Sequence, residues 1–167
     1  KREQFVPPSY ANLAFADVEI PLPGGESMFN PKIEARILQE LNIKSHETVL
    51  EIGAGSGYMA ALMAHKARHV TTVEISPELK ALAEQNIARA GIQNVTVVEG
   101  NGANGWEKDA PYDVIVISGG LENMAETFLG QLKVGGRIAA IVGQAPAMQC
   151  VLVTRVSEAA YDTVTVF

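Results

Sequence analysis

Apolar positions fall into two textures along the chain. Between Phe5 and Pro31 they are broken up by Pro7, Pro8, Pro21, Pro23, Gly24 and Gly25, which forbid long regular elements. This part predicts an extended N-terminal arm, residues 1–30, lying over a single domain formed by residues 31–167. At the junction, Asn30 before Pro31 marks a capped helix start, and Ile33, Ile37, Leu38 and Leu41 repeat at helical spacing.

From Thr48 onward, short apolar runs alternate with helical stretches. Strands are predicted at Thr48–Ile52, His69–Glu74, Val95–Glu99, Asp113–Ser118 and Arg137–Val142. Helices are predicted from Tyr58 to Lys66, from the capping Ser76 to about Ala90, where Gly91 ends the helix, and from about Glu122 to Leu132, closed by Gly135-Gly136. Strand and helix in this rhythm specify a parallel sheet with right-handed crossovers. The last two strands, Gln149–Val156 and Asp162–Phe167, are separated by a short turn that cannot make a parallel crossover, so they must pair antiparallel or part company. The expected class is therefore α/β: a doubly wound, mostly parallel, Rossmann-like sheet with antiparallel C-terminal strands.

Composition narrows the function. The 167 residues are 47% hydrophobic and 19% charged, which suits a sheet covered on both faces. No apolar stretch reaches the roughly 18–20 residues of a membrane span, so no membrane partner is expected. A net charge of −6, with Lys and Arg scattered, argues against nucleic acid. The single Cys150 sits in a strand pattern, reads as a buried thiol and is compatible with a cytoplasmic location. The three His residues offer no metal site, and Trp106 and Tyr112 read as loop packing at the sheet edge.

Ligands of an open α/β sheet bind outside the carboxyl ends of its strands. The loop after the first strand of that sheet is Gly53-Ala54-Gly55-Ser56-Gly57, whose glycines let the backbone approach a ligand. Roughly 20 residues on, Glu74 ends the next strand, placed to accept both ribose hydroxyls of an adenosine. Two details turn the reading away from a dinucleotide. Tyr58 stands where the third small residue of that fingerprint belongs. Glu51, just before the loop, would repel a pyrophosphate but suits the sulfonium and amino group of S-adenosylmethionine.

With these residues identified, the chain resembles class I methyltransferases, and among them the protein-L-isoaspartate O-methyltransferase family. The resemblance covers nearly the whole chain. Val49 to Tyr58 looks like the family's cofactor loop, Val73-Glu74-Ile75 like its ribose-binding acid and Gly100-Asn101-Gly102 like its adenine loop. Ala110-Pro111-Tyr112-Asp113 and Leu132-Lys133-Val134-Gly135-Gly136-Arg137 are similar to its later motifs. Phe5-Val6-Pro7-Pro8, Ala14-Phe15-Ala16-Asp17 and Ile20-Pro21-Leu22 resemble its N-terminal region. The resemblance implies S-adenosylmethionine as cofactor, S-adenosylhomocysteine as product, and an arm over the substrate side. It assigns cofactor contacts to Met28, Glu51, Gly53, Ala54, Gly55, Gly57, Tyr58, Glu74, Ile75, Asn101 and Gly102.

Two positions depart from the family pattern. The family's Gly-Gln-Thr-Ile-Ser is here Gly25-Glu26-Ser27-Met28-Phe29, so its active-site Ser falls on Phe29, and Asn101 stands where Asp is usual. An ionised carboxylate needs no general base, so its methylation requires only orientation. The candidates for orienting it are Ser27, the backbone at Phe29 and Asn30, and Ser118-Gly119-Gly120 after the fourth strand. Three readings stay open: an isoaspartyl carboxyl methyltransferase acting on a peptide or protein, a methyltransferase for another substrate such as a small molecule, and a non-catalytic S-adenosylmethionine-binding protein. Oligomeric state is not fixed by these residues.

Overall fold

The computed structural model describes residues 1–121, 126–142 and 149–167. In the proline-broken arm every element is short. It contains 3-10 turns at Arg2–Gln4, Pro8–Leu13 and Pro23–Gly25, and two antiparallel strands, β1 (Ile20–Pro21) and β2 (Ser27–Met28). Part of its apolar surface is buried, Val6, Ala14, Ile20, Leu22 and Met28 packing with Leu79 of the domain, while Leu13, Phe15 and Val18 stay exposed. Helix α1 (Pro31–Leu41) then starts where the cap signal predicts it, with Asn30 Oδ1 accepting from the Ile33 amide at 3.0 Å.

The domain alternates β3 (Thr48–Ile52), α2 (Tyr58–Ala64), β4 (His69–Glu74), α3 (Pro77–Arg89), β5 (Val95–Glu99), β6 (Tyr112–Leu121), α4 (Thr127–Gly130) and β7 (Leu132–Val142), and closes with β8 (Gln149–Arg155) and β9 (Tyr161–Thr165). One seven-stranded sheet results, in the order β5-β4-β3-β6-β7-β8-β9. The pairs from β5 to β7 are parallel and the last two are antiparallel, as the short final turn requires. Strand order reverses between β3 and β6, so the carboxyl ends of these two neighbours border the place where such sheets bind ligands.

Both faces of the sheet are covered, which is why its central strands read as continuous apolar runs. Val49 of β3 and Val114 and Val116 of β6 face α1 and α2 through Ile37, Leu41 and Met63. Their neighbours Leu50, Ile115 and Ile117 face the opposite way, with Phe128 of α4, Tyr112 and Ile138. Each such side chain contributes about 1.5–3 kcal/mol by its burial. Cys150 is buried in the first of these clusters, and desolvation raises its thiol pKa to about 11. Tyr112 belongs to the core, and its hydroxyl donates to the carbonyls of Trp106 and Lys108. Trp106 is packed against the second cluster.

The region before the fifth parallel strand departs from expectation. Of the helix predicted from Glu122 to Leu132, residues 122–125 lie outside the described residues, the described helix is Thr127–Gly130, and Leu132 opens β7. Leu132 pairs with Tyr112, and the ladder resumes only at Val114 with Arg137. The bulge between them is made possible by Gly135 at φ +85° and by Gly136, where a Cβ would meet the Asp113 carbonyl at 2.7 Å. The same two glycines that look like a helix stop are thus a bulge inside a strand.

Candidate functional site

Beyond the carboxyl ends of β3, β4 and β6 lies a cavity of about 300 Å³. Its floor is the loop after β3. Gly53 at φ +95° and Gly55 at φ +54° hold backbone conformations that a side chain would strain. The Gly53 amide continues the β3–β4 pairing onto the Val73 carbonyl at 2.8 Å, while the Gly55 amide turns to Glu74, donating to Oε1 at 3.1 Å. The other oxygen of Glu74 accepts from the Ser76 amide at 3.0 Å. Two backbone donors thus fix this carboxylate at the cavity wall, with lone pairs left over for a diol.

Glu51 lies deeper, fully buried on β3. Thr72 Oγ1 donates to its Oε1 at 2.7 Å and Ser118 Oγ to its Oε2 at 2.9 Å. Both donors are hydroxyls on the strands either side, so neither supplies positive charge. Burial therefore dominates and raises the carboxyl pKa to about 8 against these two hydrogen bonds, with the charges of Glu34 and Glu74 adding to the rise. A buried carboxylate without a cation is a place for one. The sulfonium and amino group of S-adenosylmethionine meet that need, so the donor set fits the cofactor inferred from the sequence.

The predicted residues separate cleanly in space. Glu51, Gly53, Ala54, Gly55, Glu74 and Ile75 line the cavity from β3 and β4. Asn101 and Gly102 line it from the loop after β5, and Ser118 from β6. Ser27, Met28 and Phe29 line it from the arm. Asn101 closes a local turn, its Oδ1 accepting from the Ala103 amide at 3.0 Å. Phe29 is partly buried against the core beneath α1, and its carbonyl accepts from Arg2 at 2.9 Å.

Gly57 and Tyr58 do not line the cavity. Helix α2 begins at Tyr58, whose side chain points away from the cavity, while Ser56 before it and Met59 after it line the cavity. Gly57 is the left-handed cap of that helix, and a Cβ on it would lie 3.2 Å from the Ala83 carbonyl and from Ile87 of α3. The Tyr58 ring instead packs against Phe5 at 5.2 Å and beneath the Arg2 guanidinium at 5.0 Å.

Glu34 escapes the sequence reading. It lines the cavity from the first turn of α1, is 4% exposed, and pairs with Arg2, itself 2% exposed. Arg2 also donates to the Ala14 and Phe29 carbonyls, so one guanidinium joins the start of the arm to its middle and end and to α1. Burial raises the Glu34 carboxyl pKa to about 7 although Arg2 pulls the other way. A signal was present: Glu34 shares the helical face of Ile37, Leu38 and Leu41, where a lone acid is out of place. Among the described residues no group of three His, Cys, Asp or Glu side chains is placed to hold a metal ion, and no helix is long and apolar enough to cross a membrane.

Comparison with known proteins gives a consistent set of similarities. The family model for protein-L-isoaspartate(D-aspartate) O-methyltransferase matches residues 1–165. The chain is 41% identical to the protein-L-isoaspartate O-methyltransferase of Methanoculleus marisnigri over 142 residues, covering 85% of this chain and 64% of that protein. It is 40% identical to that of Rhodopseudomonas palustris over 159 residues, covering 95% of this chain and 73% of the relative. A solved protein-L-isoaspartate O-methyltransferase superposes with a TM-score of 0.83 at 29% identity, covering all of this chain and 56% of the other. A Plasmodium falciparum structure in complex with S-adenosyl-L-homocysteine shares the fold, with a TM-score of 0.84 at 18% identity, over 99% of this chain and 83% of that one. The chain thus spans less than two thirds of the Methanoculleus relative and little more than half of the first solved structure.

Proposed function

Because this chain belongs to the protein-L-isoaspartate(D-aspartate) O-methyltransferase family, we propose that it methylates a peptide or protein carboxylate, that of an isoaspartyl residue, using S-adenosylmethionine. The observation that carries the proposal is the buried Glu51, a carboxylate held by two hydroxyls and lacking a cation, at the foot of a glycine loop. When bound, S-adenosylmethionine supplies an electrophilic methyl group on a cationic sulfur and leaves as S-adenosylhomocysteine.

The chain's own residues have three tasks. Glu51 balances the positive charge of the cofactor's amino acid end. Glu74 accepts from the ribose hydroxyls, and Asn101 with Gly102 borders the adenine. The arm, through Ser27, Met28 and Phe29, forms the wall on which the acceptor rests. An isoaspartyl carboxylate is ionised at neutral pH, so no residue has to remove a proton from it. What remains is to hold its oxygen about 3–3.5 Å from the methyl carbon, in line with the bond that breaks. The buried thiol Cys150 and the lack of a membrane-crossing helix among the described residues support a cytoplasmic site of action.

Calorimetric titration with S-adenosylhomocysteine, followed by methylation of an isoaspartyl peptide, tests this. Binding with turnover supports the proposal, and binding without turnover at high enzyme concentration rejects the acceptor while keeping the cofactor. A second reading, methyl transfer to a different acceptor, is favoured by Phe29, which carries no hydroxyl. It loses its ground if Phe29→Ser leaves isoaspartyl turnover as high as in the unaltered chain.

A further inference from the structure

A carboxylate acceptor meets an unusual wall. The cavity is bordered by Glu26, Glu34, Glu51 and Glu74, and among the described lining residues there is no Lys, Arg or His. Glu51 and Glu74 face the cofactor loop. Of the three hydroxyls that line the cavity, Ser118 is committed to Glu51, Ser56 sits in the cofactor loop and accepts from the Tyr58 amide, and Ser27 lies on an exposed stretch of the arm. Bringing a further bare carboxylate against an ionised Glu34 would set two like charges side by side at a buried group, which pushes one of them toward its neutral form.

Glu34 has the geometry to resolve this. Its Oε1 is taken by Arg2; among the described residues its Oε2 has no protein partner and is the oxygen that keeps access to solvent at the cavity border. The groups that face it are Arg2 from the first turn of the arm, Tyr58 from α2 and Glu51 from β3. Arg2 stays charged, so it offers a fixed positive charge behind whichever carboxyl is ionised.

We infer that Glu34 binds the acceptor carboxylate in its protonated form, donating from Oε2, so that it replaces the hydroxyl missing at Phe29. The acceptor brings one negative charge and Glu34 takes up one proton from solvent. Arg2, until then balanced by Glu34, is then balanced by the acceptor. The inference rests on the carboxylate acceptor proposed above. Burial, which already raises the Glu34 carboxyl pKa to about 7, works in the same direction.

The test is calorimetry of an isoaspartyl peptide binding to the protein saturated with S-adenosylhomocysteine, at pH 8.5 in two buffers of different ionisation enthalpy. Uptake approaching one proton per peptide is expected. Glu34→Ala should weaken peptide binding roughly ten-fold. Glu34→Gln, whose amide donates but does not titrate, should recover part of that loss and take up no proton. Unchanged S-adenosylhomocysteine affinity in both variants reports an intact fold. A peptide that binds and is methylated without proton uptake overturns this inference alone, as does uptake that persists in Glu34→Gln. Binding with uptake but no methylation supports it and overturns the proposed activity. No peptide binding at any concentration overturns both.

Discussion

Ser118 and Glu51 are joined side chain to side chain across the β3–β6 pair, at 2.9 Å. The bond spans the point where strand order reverses, so it ties the two halves of the sheet at the bottom of the cavity. It also supports the charged form of Glu51, which burial disfavours. Ser118→Ala should leave the fold in place and push the Glu51 carboxyl pKa up further. A hydrogen bond to a charged group is worth about 1.5–3 kcal/mol, so S-adenosylmethionine affinity at neutral pH should drop roughly ten-fold or more. An unchanged dissociation constant would show that Glu51 does not need its charge.

Two buried carboxyls make the ligand-free protein sensitive to alkali. The pKa values of Glu51 and Glu34 rise from the ordinary 4.5 to about 8 and about 7. The fold therefore binds more protons than the unfolded chain between about pH 4.5 and 8, and stability must fall as pH rises through that window. Glu47 is shifted the other way by Arg137, so its contribution changes only in more acidic solution. The thermal midpoint should be higher at pH 5.5 than at pH 8, and Glu51→Gln should flatten the slope. A midpoint that rises over this range would contradict both assignments.

The Arg2–Glu34 pair makes a related prediction. Removing one partner of a buried ion pair costs about 3–5 kcal/mol when the other charge is left alone. Glu34 escapes that fate by taking up a proton, so Arg2→Met should cost more at pH 8 than at pH 6 in urea unfolding. The double variant Arg2→Met, Glu34→Met should recover much of the loss at pH 8. Equal costs at the two pH values would mean that Glu34 stays ionised without its partner.

Gly57 separates a structural glycine from a ligand-facing one. It holds φ +86° against the Ala83 carbonyl. Gly57→Ala should lower stability by about 1–2 kcal/mol or more, while S-adenosylhomocysteine affinity of the folded protein stays within roughly three-fold. A large loss of affinity at unchanged stability would return Gly57 to the binding surface.

How much of this was legible in the sequence depends on how local each signal is. The Asn30 and Ser76 caps, the glycine loop and Glu74 at its strand end are fixed by neighbours a few residues away, and the structure has them where the pattern put them. The parallel sense of the sheet and its antiparallel end followed from the strand–helix rhythm and one short turn. Tyr58 and Gly57 fall outside the cavity lining because a motif gives spacing but not the direction in which a helix leaves its loop. Glu34 was missed because its meaning comes from Arg2, 32 residues away, and a first-turn acid reads as an ordinary dipole partner. The start of β7 was missed because Gly135-Gly136 serves a bulge as readily as a helix end.

The pairing of β3 with β6 joins Val49 to Val114 and Ile52 to Ile117. As the chain leaves the ribosome, the glycine loop and Glu74 emerge well before β6, the second partner strand of β3, exists. Until Ser118 has emerged and docked, Glu51 lacks one of its two hydroxyls and one wall of its pocket. A nascent chain halted before β6 therefore carries the recognisable nucleoside motif without the chamber that gives it meaning, and the cofactor can reward folding only once that later strand has come home.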